Sequence, residues 1–88
     1  MKLNPNCIRA ILLTIEDTCD FDTPWEYDAD DANSGFLSGY EHNEILYHIR
    51  QAEASGLIDV VHYYDFGTSV LVRDLTPQGH EFLANIST

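Results

Sequence analysis

Positively charged residues are scarce in this chain of 88 residues. Four Lys and Arg residues stand against fifteen Asp and Glu residues, which gives a formal net charge of −11 at pH 7. The four cations are Lys2, Arg9, Arg50 and Arg73. Nucleic-acid binding gains most of its affinity when cations neutralise phosphates, so this balance disfavours a non-specific binder of DNA or RNA. High acidity is also compatible with a simple role in solubility.

Cysteines and long apolar runs are equally scarce. The two cysteines, Cys7 and Cys19, lie near opposite ends of one predicted helix and do not form a disulfide framework. No apolar run approaches the roughly 20 residues that cross a bilayer. The N-terminus lacks the basic and hydrophobic regions of a signal peptide. We therefore expect a cytoplasmic protein with no membrane contact, folded as a single domain over residues 1–88.

The first apolar pattern predicts a helix close to the N-terminus. Asn4 is a suitable capping residue and Pro5 suits the first helical position. Apolar residues then recur at helical spacing at Ile8, Ile11, Leu12 and Ile15. The predicted helix runs from Pro5 to about Asp17.

A second amphipathic helix is predicted from about Glu41 to Ser55, and the remaining elements are arranged around it. Its buried stripe consists of Ile45, Leu46, Ile49 and Ala52. Gly56 follows the last turn, where a left-handed residue commonly ends a helix.

A hairpin and a third helix follow. Residues 57–64 and 69–75 are rich in β-branched and aromatic residues, which predicts two strands. The residues between them, 65–68, are typical of a turn in which Gly67 takes a positive φ. Thr76 and Pro77 then predict the start of a helix. The order of helix, irregular segment, helix, hairpin and helix predicts an α+β fold of the winged helix-turn-helix type.

The irregular segment from Thr18 to Ser38 combines carboxylates with aromatic residues. We expect Trp25 to fix this loop to the core, and Phe36 to Ser38 to add a short strand to the hairpin. The aromatic residues either close the core or form an exposed patch for a partner, and we favour core closure; they are Phe21, Trp25, Tyr27, Phe36 and Tyr40. The carboxylates lack the spacing of a calcium-binding loop.

Three stretches, NPNCIRAILLTI (4–15), GYEHNEILYHIRQAEASGLI (39–58) and LTPQGHEFL (75–83), cover most of the chain outside this loop. Together they resemble a family of phage and prophage proteins that is catalogued as domain of unknown function 2513. The resemblance implies a winged-helix fold and a mobile-element origin, and it implies no reaction and no ligand. Glu41 stands where such proteins tend to carry a small capping residue.

No residue pattern of a catalytic or metal site is present. The histidines and cysteines lack the spacings of metal ligands, and no nucleophile elbow, phosphate-binding loop or dinucleotide fingerprint occurs. We therefore expect a protein that is not an enzyme and has no metal, no cofactor and no small-molecule substrate.

The outward face of the helix around 41–55 is the candidate interaction surface. Its candidate residues are Tyr47, His48, Arg50 and Gln51, whose side chains are capable of base or phosphate contacts. His48 has a second interpretation, as a packing residue that makes hydrogen bonds. Carboxylates on the helix and a hairpin turn without cations oppose DNA, so we favour regulation through a protein partner or self-association. The alternative is a sequence-specific DNA-binding regulator that acts as a dimer through this helix.

Overall fold

Three helices pack against a three-stranded antiparallel sheet in the computed structural model, which describes residues 1–86. The elements are α1 (Pro5–Thr18), β1 (Trp25–Tyr27), α2 (His42–Ala54), β2 (Ile58–Tyr64), β3 (Ser69–Leu75) and α3 (Pro77–Ile86). The sheet has the order β1-β3-β2, so β3 is central. The predicted α+β class is confirmed. Within residues 1–86, none of the helices combines the length and apolar character that crossing a membrane requires.

Helix α1 begins as predicted and ends one residue later than predicted. The Asn4 side chain accepts a hydrogen bond from the Asn6 N–H, and Pro5 occupies the first turn. Cys7 lies on the buried face, where burial and, to a lesser extent, the carboxylate of Glu44 raise the pKa of its thiol to about 12. Both cysteines are free, and Cys7 packs as a small apolar residue.

Helix α2 and the following hairpin also form where the sequence predicts them. Gly56 takes a φ of +74 after the last turn of α2, and Gly67 takes a φ of +88 in the turn of the hairpin. Both values lie in the left-handed region, which glycine enters without a Cβ clash. Glu41 occupies the N-cap position of α2 and makes no side-chain capping bond.

The short third strand lies elsewhere than predicted. The prediction that Phe36 to Ser38 join the hairpin is wrong, because Gly35–Leu37 form a 3₁₀ turn. The strand is instead β1, in which Trp25 pairs with Val72 and Tyr27 with Val70 of β3. The alternation of β1 places both aromatic rings on the buried face and Glu26 outside.

The aromatic residues of the loop divide into two groups. Trp25 is 6% exposed and Tyr27 is fully buried, so the prediction of core closure is correct for these two residues. It is wrong for Phe21, which is 100% exposed, and for Phe36, which is 50% exposed. Phe21 lies in a tight turn closed by the bridge between Asp20 and Thr23, which directs it away from the core.

Burial of Tyr27 predicts a loss of stability in alkali. Burial, with the carboxylates of Asp31 and Asp28, raises the pKa of Tyr27 to about 12 from its ordinary value of 10. The neutral phenol therefore contributes stability that is fully present below pH 10 and is lost as the pH rises towards 12. We expect the melting temperature of a Tyr27→Phe variant to fall less between pH 10 and pH 11 than that of the wild type.

Thermal melts followed by circular dichroism at these pH values test this expectation. Tyr64→Phe is the matched control, because Tyr64 is an exposed tyrosine of the same sheet. This control should keep the pH dependence of the wild type. Equal dependence in both variants would show that Tyr27 does not contribute to the alkaline transition.

Candidate functional site

His48 is a core residue, and the prediction that it is exposed on α2 is wrong. The ring is fully buried. Nε2 accepts a hydrogen bond of 2.8 Å from the backbone N–H of Asn4, and Nδ1 donates one of 2.7 Å to the carbonyl oxygen of Glu44. A backbone N–H can only donate, so these partners place the ring proton on Nδ1. Its interpretation as a packing residue that makes hydrogen bonds is confirmed.

The side chain of Arg50 extends from α2 towards the hairpin. The centre of its guanidinium is 4.5 Å from the centroid of the Tyr63 ring, within the range of a cation–π interaction. A Cβ placed on Gly67 would lie 2.5 Å from a terminal nitrogen of Arg50, so the side chain reaches the hairpin turn. The Arg50 side chain is exposed to solvent, and its guanidinium also contacts the Tyr63 ring of the same chain.

Tyr63 completes a bridge from α2 to β2. Its hydroxyl donates a hydrogen bond of 2.6 Å to a carboxylate oxygen of Glu53. Burial and this bond raise the pKa of Tyr63, and the nearby charge of Arg50 lowers it by a smaller amount. We call Arg50, Tyr63 and Glu53 the helix–hairpin bridge. The sequence places Arg50 and Glu53 three residues apart on one helix face, but it does not reveal the tyrosine between them.

Tyr47 and Gln51 are half-buried on α2. The ring of Tyr47 meets the ring of His48 edge-on, with 5.1 Å between the centroids. The four candidate residues therefore have different roles: one is buried, one belongs to the bridge and two are partly exposed.

The hairpin carries the apolar surface that α2 lacks. Val61, Tyr64 and Phe66 are exposed, and Phe66 is fully so at the tip of the turn. We call these three residues the hairpin surface. Val61 lies at an irregularity of the pairing between Val60 and His62, where β2 departs from regular register.

Phe66 is also strained. Its backbone has φ 58 and ψ 30, the left-handed region, although it is not glycine. A residue held in this region costs on the order of 1 kcal/mol or more, and such strain is concentrated at functional positions. The sequence predicts the positive φ of this turn at Gly67 and gives no signal for Phe66.

Arg73 and two surface grooves lie outside the helix–hairpin bridge. The Nε of Arg73 lies 3.6 Å from a carboxylate oxygen of Asp59 on the neighbouring strand. No group of three or more potential ligands converges on a metal position within residues 1–86. Two grooves, of about 630 Å³ and about 470 Å³, flank the segment that contains β1, and neither is lined by a histidine.

Comparison with known proteins identifies relatives over the whole sequence. A family model described as hypothetical protein (DUF2513) matches residues 2–88. A protein of Haemophilus influenzae strain Rd, described as an uncharacterized protein, is 33% identical over 87 residues, which cover 98% of this chain and 68% of the relative. No solved structure matches the chain with significance.

Proposed function

The chain belongs to the DUF2513 family, and we propose that it is a non-catalytic winged-helix protein of phage or prophage origin that regulates through contact with another protein. The winged-helix assignment is supported by the position of α2 directly before the hairpin and by the sheet order β1-β3-β2. The hairpin would be the wing. In place of a second helix of the helix-turn-helix, the chain has two 3₁₀ turns, Ala29–Asp31 and Gly35–Leu37.

The observation that carries the protein-contact proposal is Phe66. A fully exposed aromatic residue at the tip of a wing, held in a strained conformation, is suited to insertion into an apolar pocket of a partner. A DNA-binding wing would need a cation there to contact phosphate. The turn residues 65–68 contain none of their own, and the cation that reaches the turn, Arg50, extends from α2 and lies over the Tyr63 ring.

The alternative, a dimeric DNA-binding regulator, is disfavoured by the site geometry. His48 is buried beneath α2 and cannot reach a base. The guanidinium of Arg50 already lies 4.5 Å from the centroid of the Tyr63 ring, and that of Arg73 lies 3.6 Å from a carboxylate oxygen of Asp59. These contacts reduce what either cation would gain from a phosphate, and a net charge of −11 adds repulsion.

A Phe66→Asn variant tests the proposal, because it should separate stability from partner binding. Asparagine tolerates the left-handed region, so this variant should be more stable than the wild type by about 0.5 kcal/mol. It should at the same time lose the partner protein that the wild type captures from an extract of the native host. Urea denaturation and affinity purification with mass spectrometry measure the two effects.

Phe21→Asn is the matched control, since Phe21 is an equally exposed phenylalanine in a different turn. A partner that this control retains and Phe66→Asn loses would support protein binding through the hairpin surface.

Fluorescence anisotropy with the native upstream DNA at low salt tests the alternative, DNA binding. Saturable binding below about 1 µM that weakens with salt and is lost in Arg50→Ala, but kept in Arg9→Ala, would replace the proposal with DNA recognition.

A further inference from the structure

The larger groove lies where the irregular segment, residues 18–38, packs against α1. It has a volume of about 630 Å³ and is bordered by the end of α1, by β1 and by the turn Gly35–Leu37. Trp25 and Leu37 provide buried apolar lining, and Phe36 is a half-exposed aromatic side chain beside them. Carboxylates line the same groove at Asp17, Glu26 and Asp31. We call this the loop groove.

We propose that the loop groove binds an extended cationic segment of a partner protein, in which Lys or Arg residues alternate with apolar residues. This inference rests on the proposed function as a protein-contact module, and it names a second surface and the chemistry of its ligand. The apolar residues of the segment would contact Trp25 and Phe36. Its cations would meet the three carboxylates.

The end of α1 that borders the loop groove carries uncompensated negative charge. Helix α1 ends at Thr18 and has no basic residue in its last turn, so the negative end of its dipole is not compensated. Asp17 adds a carboxylate at this end, where a negative charge is unfavourable for the helix. No Lys or Arg lines the groove. A bound cation would relieve this excess of negative charge.

The shape of the site favours a peptide over a metal ion. The carboxylates of the groove do not form a group that could hold a metal, as no such group occurs among residues 1–86. Aromatic faces attract the ammonium and guanidinium groups of Lys and Arg. In addition, β1 is an edge strand that pairs with β3 alone, so no strand of the described residues pairs with its other backbone edge, and an extended chain is the ligand that adds to such an edge.

A second copy of this chain is a poor occupant. Two copies would each carry a net charge of −11 and repel one another. Of the four cations that a copy could offer, Arg50 is engaged by Tyr63 and Arg73 by Asp59. A separate basic partner meets the groove without these costs.

Selection from a phage-displayed library of random twelve-residue peptides tests the inference, with the full chain as the target. We expect the enriched peptides to carry at least two Lys or Arg residues near apolar residues. Synthetic copies should bind the Asp17→Lys variant at least tenfold more weakly than the wild type. Glu16→Lys is the control, because it makes the same charge change in the same turn of α1 and does not line the groove. It should alter affinity less than threefold.

Three results would overturn the inference: no enrichment of basic peptides, an equal loss of affinity in both lysine variants, or an Asp17-dependent dimer in analytical ultracentrifugation. Equal losses would mean that only the net charge of the chain matters. Phe36→Ala provides a second measurement that does not change charge, and it should weaken peptide binding at least threefold. Failure of the proposed function is distinguishable, since specific DNA binding by α2 would leave the result at the loop groove unchanged.

Discussion

Replacement of Gly79 by alanine should destabilise the protein by about 3 kcal/mol, although alanine is the better helix former. Gly79 lies in α3 against the backbone of Leu57. A Cβ at this position would overlap the carbonyl oxygen of Leu57 and lie 3.0 Å from its carbonyl carbon. The Leu57 backbone is fixed on both sides, because its N–H donates to Ala52 and its carbonyl accepts from the N–H of Thr76. The helix or the strand must therefore shift.

Urea denaturation followed by circular dichroism measures this effect. Gln78→Ala is the control, since Gln78 is an exposed neighbour on α3 and its substitution should change the free energy of unfolding by less than about 0.5 kcal/mol. Gly56→Ala tests a different mechanism: its Cβ has open space, but its φ of +74 should cost about 1 kcal/mol. If Gly79→Ala changed the free energy of unfolding as little as Gln78→Ala does, Gly79 would not lie in close contact with Leu57.

The contact at Gly79 joins two of the three stretches that carry the family resemblance. The hydroxyl of Thr76 donates to the carbonyl oxygen of Gly56 and accepts from the N–H of Gly79. The end of α2 and the start of α3 are therefore one hydrogen-bonded junction. The sequence predicts Gly56 and Thr76 as separate caps, because each signal is local. It does not predict that the two caps touch.

The same distinction between local and distant interactions explains most of the fold. Helices α1 and α2 and the hairpin are predictable, because apolar spacing, capping residues and turn glycines lie within each segment. Strand β1 is only three residues long and depends on its pairing with β3, which is distant in sequence. The irregular segment thus gives no periodic signal, and only Trp25 indicates that part of it reaches the core.

The candidate site divides in the same way. The packing of Arg50 on Tyr63 depends on the hairpin folding back towards α2, which no single segment encodes. The left-handed backbone of Phe66 belongs to the turn itself, where the sequence signal indicates Gly67. The burial of His48, in contrast, was accessible from the sequence. His48 lies three residues after Ile45 and four before Ala52, so it falls on the buried stripe. The polar character of histidine favours an exposed position, which is the prediction that the structure contradicts.

Replacement of His48 by alanine should lower the free energy of unfolding by about 3 kcal/mol. The substitution leaves a cavity in the core and removes the hydrogen-bond acceptor of the Asn4 N–H. Asn4 is the capping residue of α1, so the loss should be felt at the start of that helix. Urea denaturation gives the global effect, and amide hydrogen exchange should show faster exchange at Asn4 than in the wild type.

His62→Ala is the control, because His62 is an exposed histidine on β2. Its effect on stability should remain within about 0.5 kcal/mol. The comparison tests the burial of His48, since a solvent-exposed residue would tolerate alanine as well as His62 does. Equal stability of the two variants would contradict the buried position of His48. A large loss confined to His48→Ala would restrict the interaction surface of α2 to Tyr47 and Gln51, with Arg50 held in the helix–hairpin bridge.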